Sequence, residues 1–313
     1  MGAILGCRSA AVAMAAGMSV GRSPLLRFDR LRTSRDVPMS IEDMKHKNVL
    51  DERNRLFGMV GGSDHAFLAA VYQEWESSSS RKRLCDQLGL NFPVMQEFSK
   101  LANQLDSALD AAGYKRSDAS DRHSSSWRIV RACTVASMAP SQLVKIVRPA
   151  ATYQQTSEGA VEKDGEARAL QFFIRNDGIG LENASAGRAK EERVFIHPTS
   201  GNFTSSSFSC PWLVFHALVR TSKPFLRDVT ECSAYSLLLF GGDLEVQASK
   251  NIIFIDGWAA MSANGRIGTL VGGLRRKMDD LMLEKVRNPA LEIEDTNEMK
   301  LIVKLLKTDG LGV

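Results

Sequence analysis

The chain has 313 residues, enough for two ordinary domains, and a hydrophobic content of 44% that is typical of globular proteins. The net charge of +4 permits a nucleic-acid partner but does not indicate one. The five cysteines are scattered along the chain, which excludes the spacing of a zinc knuckle or a redox pair and fits a reducing compartment.

The N-terminal residues have an apolar centre, several arginines and a single acidic residue, Asp29. This composition is shared by targeting peptides and by internal helices, and by itself it slightly favours a targeting peptide. The apolar run is interrupted by Arg8 and by glycines, and it is too short to span a bilayer. An internal helix over residues 10–18 is the alternative prediction.

The rest of the first half predicts mostly helices. Interleaved acids and bases over residues 41–57 are typical of a solvated helix or a linker. Ser63 or Asp64 is expected to cap the next helix, whose apolar and aromatic residues recur at helical spacing and predict a core-facing surface. Two further helices are predicted over residues 92–114 and 127–138.

Short runs of β-branched and aromatic residues mark the second half. After a first β-like run that stops at Pro149, five short strands are predicted, separated by turn residues. A short helix that begins near Ser233 is inserted before the last hairpin. This pattern predicts a small Greek-key barrel of the OB type. The fold class is therefore α+β, with a helical N-terminal domain, a barrel and C-terminal helices.

Polar, glycine-containing residues 150–192 predict an insertion in the barrel, with one short helix around residues 166–174. An amphipathic helix follows the barrel, and a last helix covers roughly residues 294–306. Arg275, with its two basic neighbours, is assigned to the exposed side of the amphipathic helix.

Four segments resemble one protein family. The resemblance lies in the alanine-rich residues 3–27, in GGSDHAFLAAVYQEW (61–75), in VFIHPTSGNF (194–203) and in LVFHALVRTSKPFLRDVTECSAYSLLLFGG (213–242). These are similar to segments of the C-terminal region of DEAH/RHA-type (DExH-box) ATP-dependent RNA helicases. The last two motifs are long and specific, and the resemblance covers nearly the whole chain.

The resemblance implies four regions. Residues 1–40 are the end of a winged-helix domain and the start of the helicase-associated region, so an internal piece of fold is favoured over a targeting peptide. Residues 41–139 form the helical, ratchet-like domain, 140–290 the OB fold with the insertion, and 291–313 a C-terminal helix and tail. Met1 is interpreted as a start inside a longer reading frame or as a truncation.

The chain is expected to be inactive as an enzyme by itself. No phosphate-binding Gly-x-x-x-x-Gly-Lys-Ser/Thr motif and no DExH motif is present in the sequence. The resemblance implies a 3′-to-5′ RNA helicase in which an upstream RecA motor, absent from this chain, uses ATP and magnesium. No cofactor is assigned to the chain itself.

The candidate RNA-binding residues lie mainly around the hairpin between two barrel strands. Phe225, Leu226 and Val229 are expected to fill the barrel with the helix that follows. Cations neutralise phosphates and hydroxyls fix the register of a single strand. His197 is included because the corresponding strand end approaches RNA in the family. The proposed contacts are Arg220, Thr221, Ser222, Lys223, Arg227 and His197.

The alternative interpretation of Arg227 is an ion pair with Asp228 or Glu231. The residue types alone favour this ion pair over a contact with RNA. The basic cluster that begins at Arg81 is interpreted as solvated, with contact to an RNA backbone as the alternative.

Two other functions stay open: an RNA-binding module without a motor, and a platform for activator proteins. Departures from the family pattern, such as ASMAPSQ at residues 136–142, also fit a truncated or degenerate paralogue. The expected partners are single-stranded RNA, an activator protein and the upstream RecA domains, with no membrane. A cytoplasmic or nuclear location is expected.

Overall fold

The computed structural model describes residues 1–28, 40–149, 153–156, 159–162, 170–176 and 190–310. The chain divides into two units. One, the helical unit, comprises residues 1–133 and 277–313, and the other, the barrel unit, comprises residues 134–276.

Within the described residues, seven helices precede the barrel strands. Serine or asparagine side chains cap the N-termini of several of them. Ser63 Oγ accepts a hydrogen bond from the backbone N–H of Ala66, which confirms the predicted cap. Asn91 caps the longest helix. The helices are α1 (Arg8–Ser19), α2 (Ile41–Met59), α3 (Asp64–Ser77), α4 (Arg81–Leu88), α5 (Phe92–Ala111), α6 (Asp118–Asp121) and α7 (Trp127–Met138).

Helix α1 packs against α3 and α5 and forms the centre of the helical unit. The aromatic face of α3 is core, as its spacing predicts, with Val71 and Trp75 fully buried. The ring of Tyr72 stacks on Phe98 of α5 with centroids 4.9 Å apart. A Cβ atom on Gly17 would lie 3.0 Å from the Phe98 ring, so this glycine permits the close approach of α1 and α5.

Arg8, at the start of α1, is a buried anchor of the helical unit. Its guanidinium donates to Asp106 Oδ1 at 2.8 Å and to the backbone carbonyl of Asp106 at 2.9 Å. It also donates to Asp110 Oδ1 at 2.8 Å and to the carbonyl of Tyr114. The predicted internal helix is therefore present and is tied to α5 through its first residue.

Five strands close the barrel in the order β1-β4-β5-β7-β6. All the neighbouring pairs are antiparallel except β5 and β7, which are parallel. The strands are β1 (Leu143–Val147), β4 (Gln171–Asn176), β5 (Lys190–Ile196), β6 (Trp212–Arg220) and β7 (Pro224–Glu231). Their buried core residues are Val144, Ile174, Val194, Ile196, Leu213, Phe215, Leu226 and Val229.

The barrel confirms the predicted fold class but uses different strands. Gln171–Asn176 is strand β4, whereas the sequence predicted a helix over residues 166–174, and that prediction was wrong. Part of the predicted insertion is therefore barrel wall. Two more strands of this region, β2 (Tyr153–Thr156) and β3 (Gly159–Glu162), form a separate hairpin.

The last two predicted barrel strands lie outside the barrel. After the capped helix α8 (Ala234–Phe240), strands β8 (Leu244–Gln247), β9 (Ile252–Ile255) and β10 (Ala259–Ser262) form their own antiparallel sheet. The long helix α9 (Gly265–Arg287) and the final helix α10 (Asn297–Thr308) follow.

Arg275 corrects a second expectation, because it is not a solvated residue. Its guanidinium donates to the carbonyl of Leu238 at 3.4 Å and to that of Gly242, and so fastens α9 to the end of α8. None of the described helices combines the length and the apolar character needed to cross a bilayer. The described residues also contain no cluster of side chains suited to hold a metal ion.

Candidate nucleic-acid interface

A tight turn joins β6 to β7 and carries three of the predicted site residues. The backbone N–H of Thr221 donates to the carbonyl of Lys223 at 3.1 Å, and the Thr221 hydroxyl donates to the same carbonyl at 3.4 Å. Thr221, Ser222 and Lys223 are all exposed. The turn therefore presents two hydroxyl side chains and one ammonium group to solvent at one end of the barrel.

An irregularity in β7 determines which side chains face outward. Phe215 pairs with Val229 and Ala217 pairs with Arg227, and Asp228 lies between these pairs with a φ of 52°. One residue lies between the two pairs on each strand, so the register is unchanged, but this left-handed residue interrupts the alternation of side chains along β7. As a result Leu226 and Val229 both enter the barrel core, although they are three positions apart, and Arg227 stays exposed.

Arg220 lies at the end of β6 and is engaged by the protein itself. Its guanidinium forms a two-pronged ion pair with the carboxylate of Glu192 on β5, in which Nη2 lies 2.8 Å from Oε2. Hydrogen bonding to Arg220 holds the pKa of Glu192 below its ordinary value. Of the predicted cations, Arg220 is therefore the one whose charge is already compensated.

Arg227 does not form either of the ion pairs that its rival interpretation required. Within the described residues its guanidinium makes no hydrogen bond or ion pair with Asp228 or Glu231. The carboxylate of Glu231 instead accepts hydrogen bonds from the Ser209 hydroxyl at 2.7 Å and from the backbone N–H of Cys210 at 2.6 Å. Burial raises the pKa of Asp228, which weakens it as a partner for Arg227.

His197 lies at the end of β5, next to the outer face of β7. Its backbone N–H donates to the carbonyl of Leu226 at 2.9 Å, and its Nδ1 lies 2.7 Å from the hydroxyl of Thr199. The imidazole meets the ring of Phe225 edge-on, with centroids 5.7 Å apart. The side chain is thus held in a turn and half-exposed beside the other candidate residues.

Three phenylalanines lie among these cations on the outer face of β4, β5 and β7. Phe195 pairs with Phe225 across β5 and β7, with ring centroids 6.2 Å apart. Lys223 Nζ lies over the Phe195 ring at 4.8 Å, and the Arg193 guanidinium lies 5.4 Å from Phe195 and 5.8 Å from Phe173. We call the set Phe173, Arg193, Phe195, Lys223 and Phe225 the platform.

The cations of the platform are held only weakly. Throughout the described ranges no carboxylate forms an ion pair with Arg193 or Lys223. An exposed cation over an aromatic ring is stabilised by only about 0.5–1 kcal/mol. Arg193 and Lys223 can therefore leave the rings for a phosphate group at small cost.

Sequence reasoning missed Phe173, Arg193 and Phe195, and it misplaced Phe225. Phe225 was assigned to the barrel interior, but it is a half-buried residue of the outer face, because its neighbour Leu226 occupies the core. The alternation of buried Val194 and Ile196 with Arg193 and Phe195 was the signal in the sequence that could have identified the outer face of β5.

The basic cluster at the start of α4 has a partly structural role. Arg81 lies 3.5 Å from the carboxylate of Glu76 and 5.0 Å from the centroid of the Trp75 ring. The charge of Arg81 is thus partly compensated within the helical unit.

Comparison with known proteins assigns the two C-terminal segments. Residues 162–244 match the family of oligonucleotide/oligosaccharide-binding (OB) folds, and residues 251–308 match the C-terminal domain found in RNA helicases. Both matches confirm the resemblance that was predicted from the sequence.

Full-length relatives place these segments in a larger class of proteins. The chain is 26% identical over 275 residues to the ATP-dependent DNA/RNA helicase DHX36 of Mus musculus, covering 84% of the chain and 25% of the relative. It is 26% identical over 257 residues to the ATP-dependent RNA helicase DHX29 of Homo sapiens, covering 80% of the chain and 18% of the relative. The chain thus spans about a quarter or less of the length of these curated relatives.

Proposed function

We propose that this chain, which is homologous over most of its length to DEAH-box RNA helicases, binds single-stranded RNA as the C-terminal accessory portion of such an enzyme. The ATP and magnesium used by a helicase motor belong to RecA domains outside this sequence. The chain contributes a grip on the RNA backbone through its OB barrel. Lys223 and Arg227 bind phosphates, and the hydroxyls of Thr221 and Ser222 fix the register.

One observation carries the proposal: uncompensated cations converge on one outer face of the barrel. Arg193, Lys223 and Arg227 have no ion-pair partner among the described residues, whereas Lys145, Arg175 and Arg220 of the same unit each have one. Lys145 pairs with Glu191 at 2.9 Å and Arg175 pairs with Asp256 at 2.7 Å. Three cations without an ion-pair partner therefore lie on the outer face of β5 and β7 and in the β6–β7 turn, where a polyanion can lie along the strands.

Salt dependence tests the phosphate contacts directly. For a single strand, the slope of log affinity against log salt concentration is about 0.7 per neutralised phosphate. We expect Lys223→Ala combined with Arg227→Ala to lower this slope by about 1.4 for a ten-nucleotide RNA, because two contacts are removed. The measurement is fluorescence anisotropy across a salt series.

The matched control removes the same charge from the other unit. Lys300 and Lys304 are exposed on α10, and their double alanine variant has the same net charge as the test variant. We expect the control to keep the slope of the unmodified chain. A test variant that melts cooperatively and keeps the original slope would refute the phosphate contacts. Binding that is absent at low salt would favour the protein-interaction alternative.

A further inference from the structure

Two imidazoles, a carboxylate and a guanidinium lie together where β6, β7 and the end of β5 meet. His216 of β6 and Asp228 of β7 each lie between the same two cross-strand pairs, so they occupy opposite positions on neighbouring strands. Arg227 precedes Asp228 along the chain. His197 follows the last residue of β5, which runs parallel to β7, and its backbone N–H donates to the carbonyl of Leu226. We call His197, His216, Arg227 and Asp228 the histidine cluster.

The histidine cluster is accessible to solvent and its members act on one another. Arg227 is exposed, and the two imidazoles and Asp228 are half-buried. Burial raises the pKa of Asp228, and the other three side chains of the cluster oppose this rise through their charges. The charge of each member therefore depends on the protonation of its neighbours.

The groups around the histidine cluster leave Asp228 as its carboxylate. On the side of β1, the amide of Gln142 donates to the backbone carbonyl of His216 at 2.7 Å and is uncharged. The nearby carboxylates of β5 and β7 are engaged by partners of their own, namely Glu191 by Lys145, Glu192 by Arg220, and Glu231 by Ser209 and Cys210. The charge of Arg227 is therefore opposed mainly from within the cluster.

We infer that the histidine cluster makes RNA binding depend on protonation, with His216 and His197 as phosphate contacts that form only when their imidazoles are charged. This dependence rests on the proposed function and adds a condition to it. With both imidazoles neutral, an ionised Asp228 offsets the charge of Arg227, so the cluster attracts a phosphate group weakly. Protonation of the imidazoles adds two positive charges beside Arg227, and protonation of Asp228 removes the opposing one.

The pH range follows from the chemistry of the groups. Imidazole side chains change their charge between about pH 5 and pH 8, where a phosphodiester keeps its negative charge. The coupling between protons and RNA is reciprocal, so an RNA that prefers the charged cluster also promotes its protonation. The protons come from solvent, and no covalent bond of the protein or the RNA changes.

A salt series at two pH values measures the effect. The ligand is a ten-nucleotide oligouridine, whose bases and phosphates keep their charge between pH 8 and about pH 5.5, and fluorescence anisotropy reports binding. We expect the salt slope of the unmodified chain to be steeper by about 1.4 at the lower pH, because each of two new phosphate contacts adds about 0.7. At about 0.1 M salt the affinity should rise about ten-fold.

The ratio of the affinities at the two pH values assigns the effect to residues. We expect His216→Gln to lower this ratio about three-fold and to halve the change in slope, because one phosphate contact is lost. Asp228→Asn should lower the ratio by raising the affinity at pH 8, since the opposing charge is gone. The matched control is His46→Gln, which removes a half-buried imidazole of the helical unit and should keep the full ratio.

Proton uptake gives a second readout that needs no variant. Calorimetric titrations of the unmodified chain with oligouridine are made at about pH 6.5 in buffers of different ionisation enthalpy. We expect RNA binding to take up protons, because the bound phosphates stabilise the charged imidazoles. The uptake should be smaller in His216→Gln.

The outcomes separate protonation control from the function on which it rests. Salt-dependent binding with one slope at both pH values and without proton uptake would overturn protonation control and leave phosphate binding in place. A full ratio in a His216→Gln variant that melts cooperatively at both pH values would also overturn it, as would an equal loss in His46→Gln. Absence of salt-dependent binding at both pH values would overturn the proposed function itself, and protonation control with it.

Discussion

At the scale of single residues, Asp228 determines the geometry of the outer face. It is a non-glycine residue with a φ of 52°, in a region that asparagine and aspartate tolerate better than most residues. The residue is half-buried, and this burial raises the pKa of its carboxylate, although His216, Arg227 and His197 act in the opposite direction. The ionised form is therefore disfavoured in the folded barrel.

We expect Asp228→Asn to stabilise the chain at neutral pH. A raised pKa means that the free energy of unfolding of the unmodified chain falls as the pH rises above about 3.9, the ordinary value of an aspartate. Asparagine has no such loss and tolerates the same φ. The difference in melting temperature between variant and unmodified chain should be positive at pH 7 and shrink towards pH 4.

Asp228→Val is the control for backbone strain. It also removes the charge, but its β-branched side chain is strained at this φ. We expect it to destabilise the barrel at every pH in this range. A melting temperature of Asp228→Asn at or below that of the unmodified chain at pH 7 would contradict the role of the buried charge.

At the scale of elements, the end of α4 depends on one glycine. Gly89 ends the helix in the left-handed region with a φ of 57°. A Cβ atom there would lie 2.7 Å from Arg53 Nη2 and 2.9 Å from Val49 Cγ1. Arg53 donates to the carbonyls of Leu88 and Gly89 at 2.7 Å, and burial lowers its pKa to about 10, so it is still a cation at neutral pH.

We expect Gly89→Ala to lower the free energy of unfolding by about 1–3 kcal/mol, since both the backbone conformation and the close contacts become strained. Urea titration with a helical circular-dichroism signal measures this change. Gly58 is the matched control, because it lies within α2 and a Cβ there meets no atom within 4 Å. Gly58→Ala should instead stabilise the chain by about 0.5–1 kcal/mol. Equal effects of the two substitutions would contradict the role of the cap.

The elements that the sequence predicted well are those with a local signal. The α3 helix has a serine cap and an apolar face, and both are visible within fifteen residues of sequence. Strand β4 has no such signal, because Glu166, Ala167 and Ala169 precede it and are good helix formers. Its strand conformation depends on pairing with β1, where Ile174 lies opposite Val144, thirty positions earlier in the chain.

At the scale of the whole molecule, the same distinction explains how much of the site was predictable. The hairpin residues Thr221 to Lys223 are consecutive and were found together. The platform joins β4, β5 and β7, and its Phe195–Phe225 pair depends on the register of a parallel pairing between residues thirty positions apart. The left-handed conformation of Asp228 changes which side chains of β7 face outward, and no local pattern in the sequence indicates it.

The two units also differ in how their cations are engaged. On the barrel unit, Arg193 and Lys223 lie over half-buried aromatic rings without an ion-pair partner, whereas Arg8 and Arg53 of the helical unit are committed to internal hydrogen bonds. We therefore propose that the barrel is the part of this chain that binds RNA.

Photocrosslinking identifies where RNA contacts this chain. A ten-nucleotide RNA that contains 4-thiouridine is irradiated with the unmodified chain at low salt, and the crosslinked peptides are mapped by mass spectrometry. The account predicts crosslinks in the peptides that contain residues 193–197 and 219–227, and their loss with added salt. Crosslinks confined to residues 1–133 or 277–310 would contradict an RNA site on the barrel.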